Sequence, residues 1–143
     1  EAYATMRQLS FAILDLSLHN QTYTAAQKMD PIDELEKEIL APTNLFPDIP
    51  NTNMSVQFSH IFAGGYASGY YSYKWAEVLD ADAFECFKEK GIFDFKTAKS
   101  FKDCILSQGG TQRPMELYEK FRGAEPTVDA LLRRAGLLVS DSK

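Results

Sequence analysis

Residues 58–77 read Phe58-Ser59-His60-Ile61-Phe62-Ala63-Gly64-Gly65-Tyr66-Ala67-Ser68-Gly69-Tyr70-Tyr71-Ser72-Tyr73-Lys74-Trp75-Ala76-Glu77. The stretch holds one of the two histidines and four of the seven tyrosines of the chain. Gly64 and Gly65 let backbone pass where a Cβ would clash, which predicts a tightly turned or mobile loop. Beyond them the pattern turns helical. Tyr66, Tyr70, Tyr73 and Glu77 fall on one face of a helix that begins near Ala67. A row of phenols behind a Gly-rich loop, with His60 at its mouth, can donate several hydrogen bonds to a carbonyl oxygen or a carboxylate. The plainer reading stands beside it: tyrosines at this spacing also pack as core or rim residues, and His60 as a structural histidine. Gly65 and Gly69 form a Gly-x-x-x-Gly pair, but the apolar run is too short and too rich in tyrosine to cross a bilayer.

Working outward, Ala2, Met6, Leu9, Ile13 and Leu16 recur at helical spacing, with Phe11, Leu14 and Leu18 on the adjoining face. A helix apolar over so much of its surface is expected to be buried, with Arg7 and Asp15 as paired, partly buried charges. It should end near His19-Asn20. Asp30-Pro31 opens a second helix, Asp30 as its cap, with Ile32, Leu35 and Ile39 as a narrow stripe among solvated charges. Residues 41–57, rich in proline and asparagine, make an irregular crossing that delivers the chain to Phe58.

The central helix is expected from about Ala67 to Lys90, closed by Gly91. Tyr71, Trp75, Val78, Leu79, Ala83 and Phe87 supply its core side, and Asp80, Asp82 and Glu85 a solvated acidic face. Three shorter helices follow, over Thr97–Ser107, Pro114–Arg122 and Pro126–Ala135. Leu137 and Leu138 should tuck back, and 140–143 should fray. No stretch alternates as a strand does, so the chain reads as all-α, with residues 1–143 as a single helical segment.

The composition excludes several classes. At 143 residues the chain is one domain at most, with 45% hydrophobic and 24% charged residues, as in a soluble globular protein. A formal net charge of -5, with no Lys/Arg cluster, argues against nucleic acid or an anionic membrane as partner. Cys86 and Cys104 offer neither metal spacing nor a disulfide framework, which points to a reducing intracellular compartment.

Several motifs resemble one family. His60-Ile-Phe-Ala-Gly-Gly-Tyr66, Tyr70-Tyr71-Ser72-Tyr73-Lys74-Trp75-Ala76-Glu77, Ala81-Asp82-Ala83-Phe84, Cys104-Ile-Leu-Ser-Gln-Gly-Gly110, Phe121-Arg-Gly123 and Glu125-Pro-Thr-Val-Asp-Ala-Leu-Leu132 resemble the thimet oligopeptidase family of zinc metallopeptidases. Leu9-Ser-Phe-Ala-Ile-Leu-Asp15 and Leu18-His19 fit the same alignment. The form of the His60 motif looks most like the branch of oligopeptidase A and dipeptidyl carboxypeptidase. The likeness covers nearly the whole chain and matches the C-terminal part of the family's catalytic region.

The resemblance implies a helical, zincin-like fold and zinc-assisted hydrolysis of short peptides. It gives Tyr73 the role of oxyanion donor, and Tyr66 and His60 contacts to the substrate or intermediate. Tyr70 would touch the substrate backbone, and the Gly64-Gly65 loop would close over bound peptide. Some family members have one residue fewer between the histidine and the glycine pair, which ties the role of His60 to the named branch. Tyr66 and Tyr73 keep their mutual spacing in both.

The family's zinc site is a His-Glu-x-x-His helix plus a glutamate on a neighbouring helix. No His-Glu-x-x-His occurs here, and His19 and His60 are the only histidines. The chain thus reads as the tail of a larger cytoplasmic or organellar-matrix enzyme whose upstream part is its partner. Zinc belongs to the whole enzyme, and no metal or peptidase activity is expected of this chain alone. An apolar face should be left exposed where that upstream part would sit. The rival reading is a helical module whose tyrosine groove captures peptides without cleaving them.

Overall fold

The computed structural model describes residues 1–20 and 32–138. These are all-α, with no strand among the described residues. The expected helix start at Asp30-Pro31 and the fraying end at 140–143 lie outside them. The chain divides into two compact units, Glu1–Lys74 and Trp75–Lys143.

In the first unit, helix α1 (Ala2–His19) packs on α2 (Ile32–Leu40). α1 ends where its pattern ends, the Asn20 N–H closing on the Leu16 carbonyl. Its burial is not the expected one. Ser10, Ala12, Leu14 and Asp15 are buried, whereas Met6, Ile13 and Leu16 of the anticipated core stripe stand 40–43% exposed. Arg7 does not pair with Asp15; its guanidinium lies 4.6 Å over the Phe11 ring.

In α2 the charges are not all solvated. Glu36 is buried, and its carboxylate accepts the backbone N–H groups of Met54 and Ser55. The irregular crossing is therefore held by a buried anion with its own donors. Two short 3₁₀ turns, Ser55–Gln57 and Ser59–Ile61, then bury Phe58 and Ile61.

Helix α3 (Ser72–Lys90) begins at the end of the first unit and forms the spine of the second. It starts five residues later than expected, because 67–71 are taken up by turns. Val78, Ala81, Ala83 and Cys86 are buried, but Tyr71 and Trp75 of the expected core side are 51% and 43% exposed. Asp94 caps α4 (Phe95–Phe101), its carboxylate accepting the Thr97 N–H at 2.7 Å.

The expected single helix over Thr97–Ser107 passes into a π turn, Lys102–Leu106, in which the Ser107 N–H reaches back to the Lys102 carbonyl. α5 (Pro114–Arg122) matches its expected span and closes at Gly123. α6 (Asp129–Arg134) starts later than Pro126. Leu137 and Leu138 do not tuck in; they are 72% and 40% exposed.

The core of this second unit gathers Ala83, Cys86, Tyr118 and Phe121, with Phe87 and Phe101 packed against them. Phe101 meets Phe121 edge-on at 5.1 Å. An apolar recess of about 510 Å³ opens beside it, lined by Trp75, Phe84, Phe87, Phe101 and Met115 among others.

Asp82 was expected to be solvated and is buried instead. Tyr118 donates its hydroxyl to Asp82 Oδ2 at 2.6 Å, and Arg122 Nε approaches the same oxygen at 3.3 Å while its other nitrogens reach Glu89. A buried carboxylate survives only with such donors. Burial, and then the bond to Asp82, push the Tyr118 phenol well above its ordinary range.

The sign of the pH effect follows. The unfolded phenol ionises near pH ~10 and the folded one does not, so this contribution is complete below pH ~10 and is lost as pH rises further. Tyr118→Phe should cost about 1–2 kcal/mol at neutral pH. Denaturant melts of both proteins from pH 7 to 11 should show that gap narrowing above pH ~10. A gap independent of pH would mean that the phenol is not held in its neutral form by the fold.

Candidate active site

The tyrosine loop is built from consecutive tight turns. The Ala63 and Gly64 N–H groups both point at the Ser59 carbonyl, at 2.8 and 3.0 Å, and the Tyr66 N–H returns to the His60 carbonyl at 3.1 Å. At Gly64 a Cβ would lie 2.7 Å from His60 Cα and 2.9 Å from His60 O, so only glycine fits. The Gly69 N–H closes on the Tyr66 carbonyl at 2.8 Å. Ser68, with φ of 55°, sits in the left-handed region that a serine enters only at some cost.

This folding brings four of the anticipated side chains together. Tyr66 and Tyr73 stack with ring centroids 5.3 Å apart, and Tyr70 lies 5.1 Å from Tyr73 and 6.4 Å from Tyr66. His60 stands 6.2 Å from Tyr66 and 6.5 Å from Tyr70. Beneath them Tyr70 packs on Phe58 at 4.9 Å and on Phe11 at 6.0 Å, so the cluster rests on α1. Gly64 and Gly65 are exposed at the rim.

The cluster does not arise as the spacing suggested. Only Tyr73 lies on the helix; Tyr66 and Tyr70 come from the turns before it. Tyr73 remains 40% exposed. The hydrogen bond it shares with Tyr66, then partial desolvation and the neighbouring phenols, hold its hydroxyl above the usual tyrosine range. Through neutral pH it is therefore a neutral O–H donor. Such a donor, next to a second phenol and an imidazole, suits an oxygen that gains negative charge.

Sequence reasoning passed over Asp15 and His19 as members of this region. Asp15, fully buried in α1, accepts the N–H groups of Ser68 and Tyr70, both at 2.9 Å. His19 Nδ1 lies 2.9 Å from Asp15 Oδ1. The available signal was an acid on the inner side of an apolar helix, one turn before a histidine.

Peptidase family M3 matches residues 1–137. The chain belongs to peptidase family M3. It is 49% identical over 133 residues to oligopeptidase A of Haemophilus influenzae, covering 93% of this chain and 19% of that protein. It is 43% identical over 142 residues to the probable cytosolic oligopeptidase A of Arabidopsis thaliana, covering 96% of this chain and 20% of that protein. Dipeptidyl carboxypeptidase of Escherichia coli is 35% identical over 138 residues, again with 96% and 20% covered. The chain thus spans about a fifth of the length of these curated relatives.

Zinc is the metal that family M3 implies, and the described residues do not fit it. His19 Nδ1 faces Asp15, whose two oxygens are already committed to backbone N–H groups. No group of three or more His, Cys, Asp or Glu among the described residues could hold a metal ion. A zinc site needs three or four convergent ligands.

Proposed function

We propose that this chain is the C-terminal part of the catalytic region of an intracellular zinc metallo-oligopeptidase. In that enzyme it supplies the groups that grip a short peptide and stabilise the oxyanion. The observation that carries this reading is the ring cluster of His60, Tyr66, Tyr70 and Tyr73 behind the Gly64-Gly65 turn, in a chain of family M3. The metal ligands would come from the upstream part of the same protein.

When the scissile carbonyl is attacked, its oxygen acquires negative charge, and the Tyr73 O–H donates to it. Tyr66, whose ring stacks on Tyr73, reaches the intermediate as well. His60 binds near the same point, and Tyr70 contacts the peptide backbone. Gly64 and Gly65 form the piece that closes over the substrate. A neutral phenol strengthens its hydrogen bond as the acceptor becomes an oxyanion, so the interaction favours the transition state over the bound peptide.

The relatives named as cytosolic or organellar support a cytoplasmic setting, with an organellar matrix second. Cys86 and Cys104 are free thiols, in keeping with a reducing compartment. No described helix is long and apolar enough to cross a membrane. The alternative, a module that binds peptides without cleaving them, is favoured for the chain on its own by the lack of a ligand set among the described residues.

Assays on internally quenched short peptides decide between these readings. The full-length protein should cleave them and lose activity to a chelator, with recovery on adding zinc. Residues 1–143 expressed alone should not cleave. A full-length protein that binds the peptides but leaves them intact, with or without zinc, would overturn the enzymatic reading in favour of the binding module.

A further inference from the structure

The tyrosine cluster hangs on a buried carboxylate that belongs to none of its own turns. Asp15 has no exposed surface, and its two oxygens divide their work: Oδ1 accepts the Ser68 N–H and Oδ2 the Tyr70 N–H, each at 2.9 Å. A carboxylate removed from water is tolerated only where such charge-assisted bonds replace its hydration. Those bonds fall on the two residues whose backbone most needs holding. Ser68 is kept at a φ of 55°, and Tyr70 is at once a member of the cluster and the acceptor of the Tyr73 N–H at 3.3 Å. His19, one turn further along α1, sets its Nδ1 2.9 Å from Asp15 Oδ1 and 2.8 Å from the Asp15 carbonyl oxygen, with its ring against Phe62. The imidazole thus meets the same carboxylate oxygen that accepts the Ser68 N–H and steadies it from within α1.

We propose that Asp15, oriented by His19, is the positioning residue for the tyrosine cluster: it holds the 68–70 turn so that Tyr66, Tyr70 and Tyr73 converge. The proposal rests on the functional reading above for its catalytic consequence, but not for the anchoring itself. Among the described residues the Asp15 carboxylate hydrogen-bonds neither the phenol hydroxyls nor His60; it acts through two backbone N–H groups. Its loss should therefore misplace groups that act in the chemical step more than it weakens peptide binding. A displacement of about 1 Å at a reacting group is enough to cost up to ~100-fold in rate.

The test is Asp15→Asn in the full-length protein, read by amide hydrogen exchange and by kcat and KM separately. Asparagine keeps the shape but presents an NH₂ group to one of the two backbone donors. Exchange at Ser68 and Tyr70 should accelerate at least ~10-fold while the interior of α1 stays protected. In the same variant kcat should fall roughly 10- to 100-fold with KM changed less than ~3-fold.

Adding Ser68→Gly should restore part of the lost kcat, because glycine adopts the left-handed conformation without the carboxylate's help. A merely structural Asp15 would not be rescued in this way. Unchanged exchange at Ser68 and Tyr70, loss of protection throughout α1, or no rescue would each overturn the proposal.

Should Asp15→Asn not fold, the unsubstituted protein decides. Ser68 and Tyr70 amides protected to the level of α1 uphold the anchor, and exchange as fast as at Ala67 refutes it. Absence of peptidase activity in the unsubstituted protein would remove the functional reading and leave the exchange measurements to judge the anchor.

Discussion

Tyr73→Phe in the full-length protein should lower kcat by roughly two to three powers of ten while KM moves little. The substitution removes one O–H and keeps the ring, so the stack on Tyr66 at 5.3 Å and the contact with Tyr70 at 5.1 Å survive. A substrate carbonyl needs that donor far less than the tetrahedral intermediate does, which assigns the loss to the chemical step.

The phenol suits this proposed role because its neighbours hold its pKa above the ordinary value. It remains a donor across the working pH range, and loss of activity from its ionisation should begin only above pH ~10. Tyr71→Phe is the control, since that ring is 51% exposed and the contacts that define the cluster do not involve it. Steady-state kinetics of the two variants on one peptide suffice. A Tyr73→Phe enzyme with intact kcat, or with only KM raised, would make Tyr73 a binding or packing residue.

The all-α class and most helix ends were legible in the sequence because they rest on local signals. The Asn20, Gly91 and Gly123 closures and the proline start of α5 are decided by the few residues around them. What escaped was long-range. Glu36 and Asp82 look like members of solvated acidic runs, and each is buried because donors arrive from far along the chain: backbone N–H groups of residues 54 and 55 for one, Tyr118 and Arg122 for the other.

The stripe of Met6, Ile13 and Leu16 failed for a related reason. Apolar periodicity identifies a helix but not which of two apolar faces turns inward, and here the face with Leu14 and Asp15 does. The membership of the tyrosine cluster was legible and its geometry was not. Tyr66 and Tyr70 converge with Tyr73 through turns that a buried aspartate holds, and helical spacing has no term for that.

Gly64→Ala should be the most damaging single methyl in the loop, lowering kcat/KM by up to about 100-fold. An alanine Cβ would stand 2.7 Å from His60 Cα and 2.9 Å from His60 O, both backbone atoms that no side-chain rotation can move aside. The His60 carbonyl is also the acceptor of the Tyr66 N–H at 3.1 Å. The added methyl therefore pushes on the backbone hydrogen bond that ties His60 to Tyr66, and relief in either direction displaces a member of the cluster.

Gly65→Ala is the informative partner. Its Cβ would meet nothing within 4 Å, but a φ of 81° charges any L-residue about 1–2 kcal/mol in backbone strain. The two variants thus separate contact from conformation at adjacent positions. Gly65→Ala should mainly lower thermal stability, whereas Gly64→Ala should lose most of its kcat/KM even at temperatures where the variant is fully folded. Equal losses of kcat/KM would mean that loop strain, and not the close approach of Gly64 to His60, governs the site. Full activity in Gly64→Ala would show that the His60–Tyr66 turn does not need the geometry it has here.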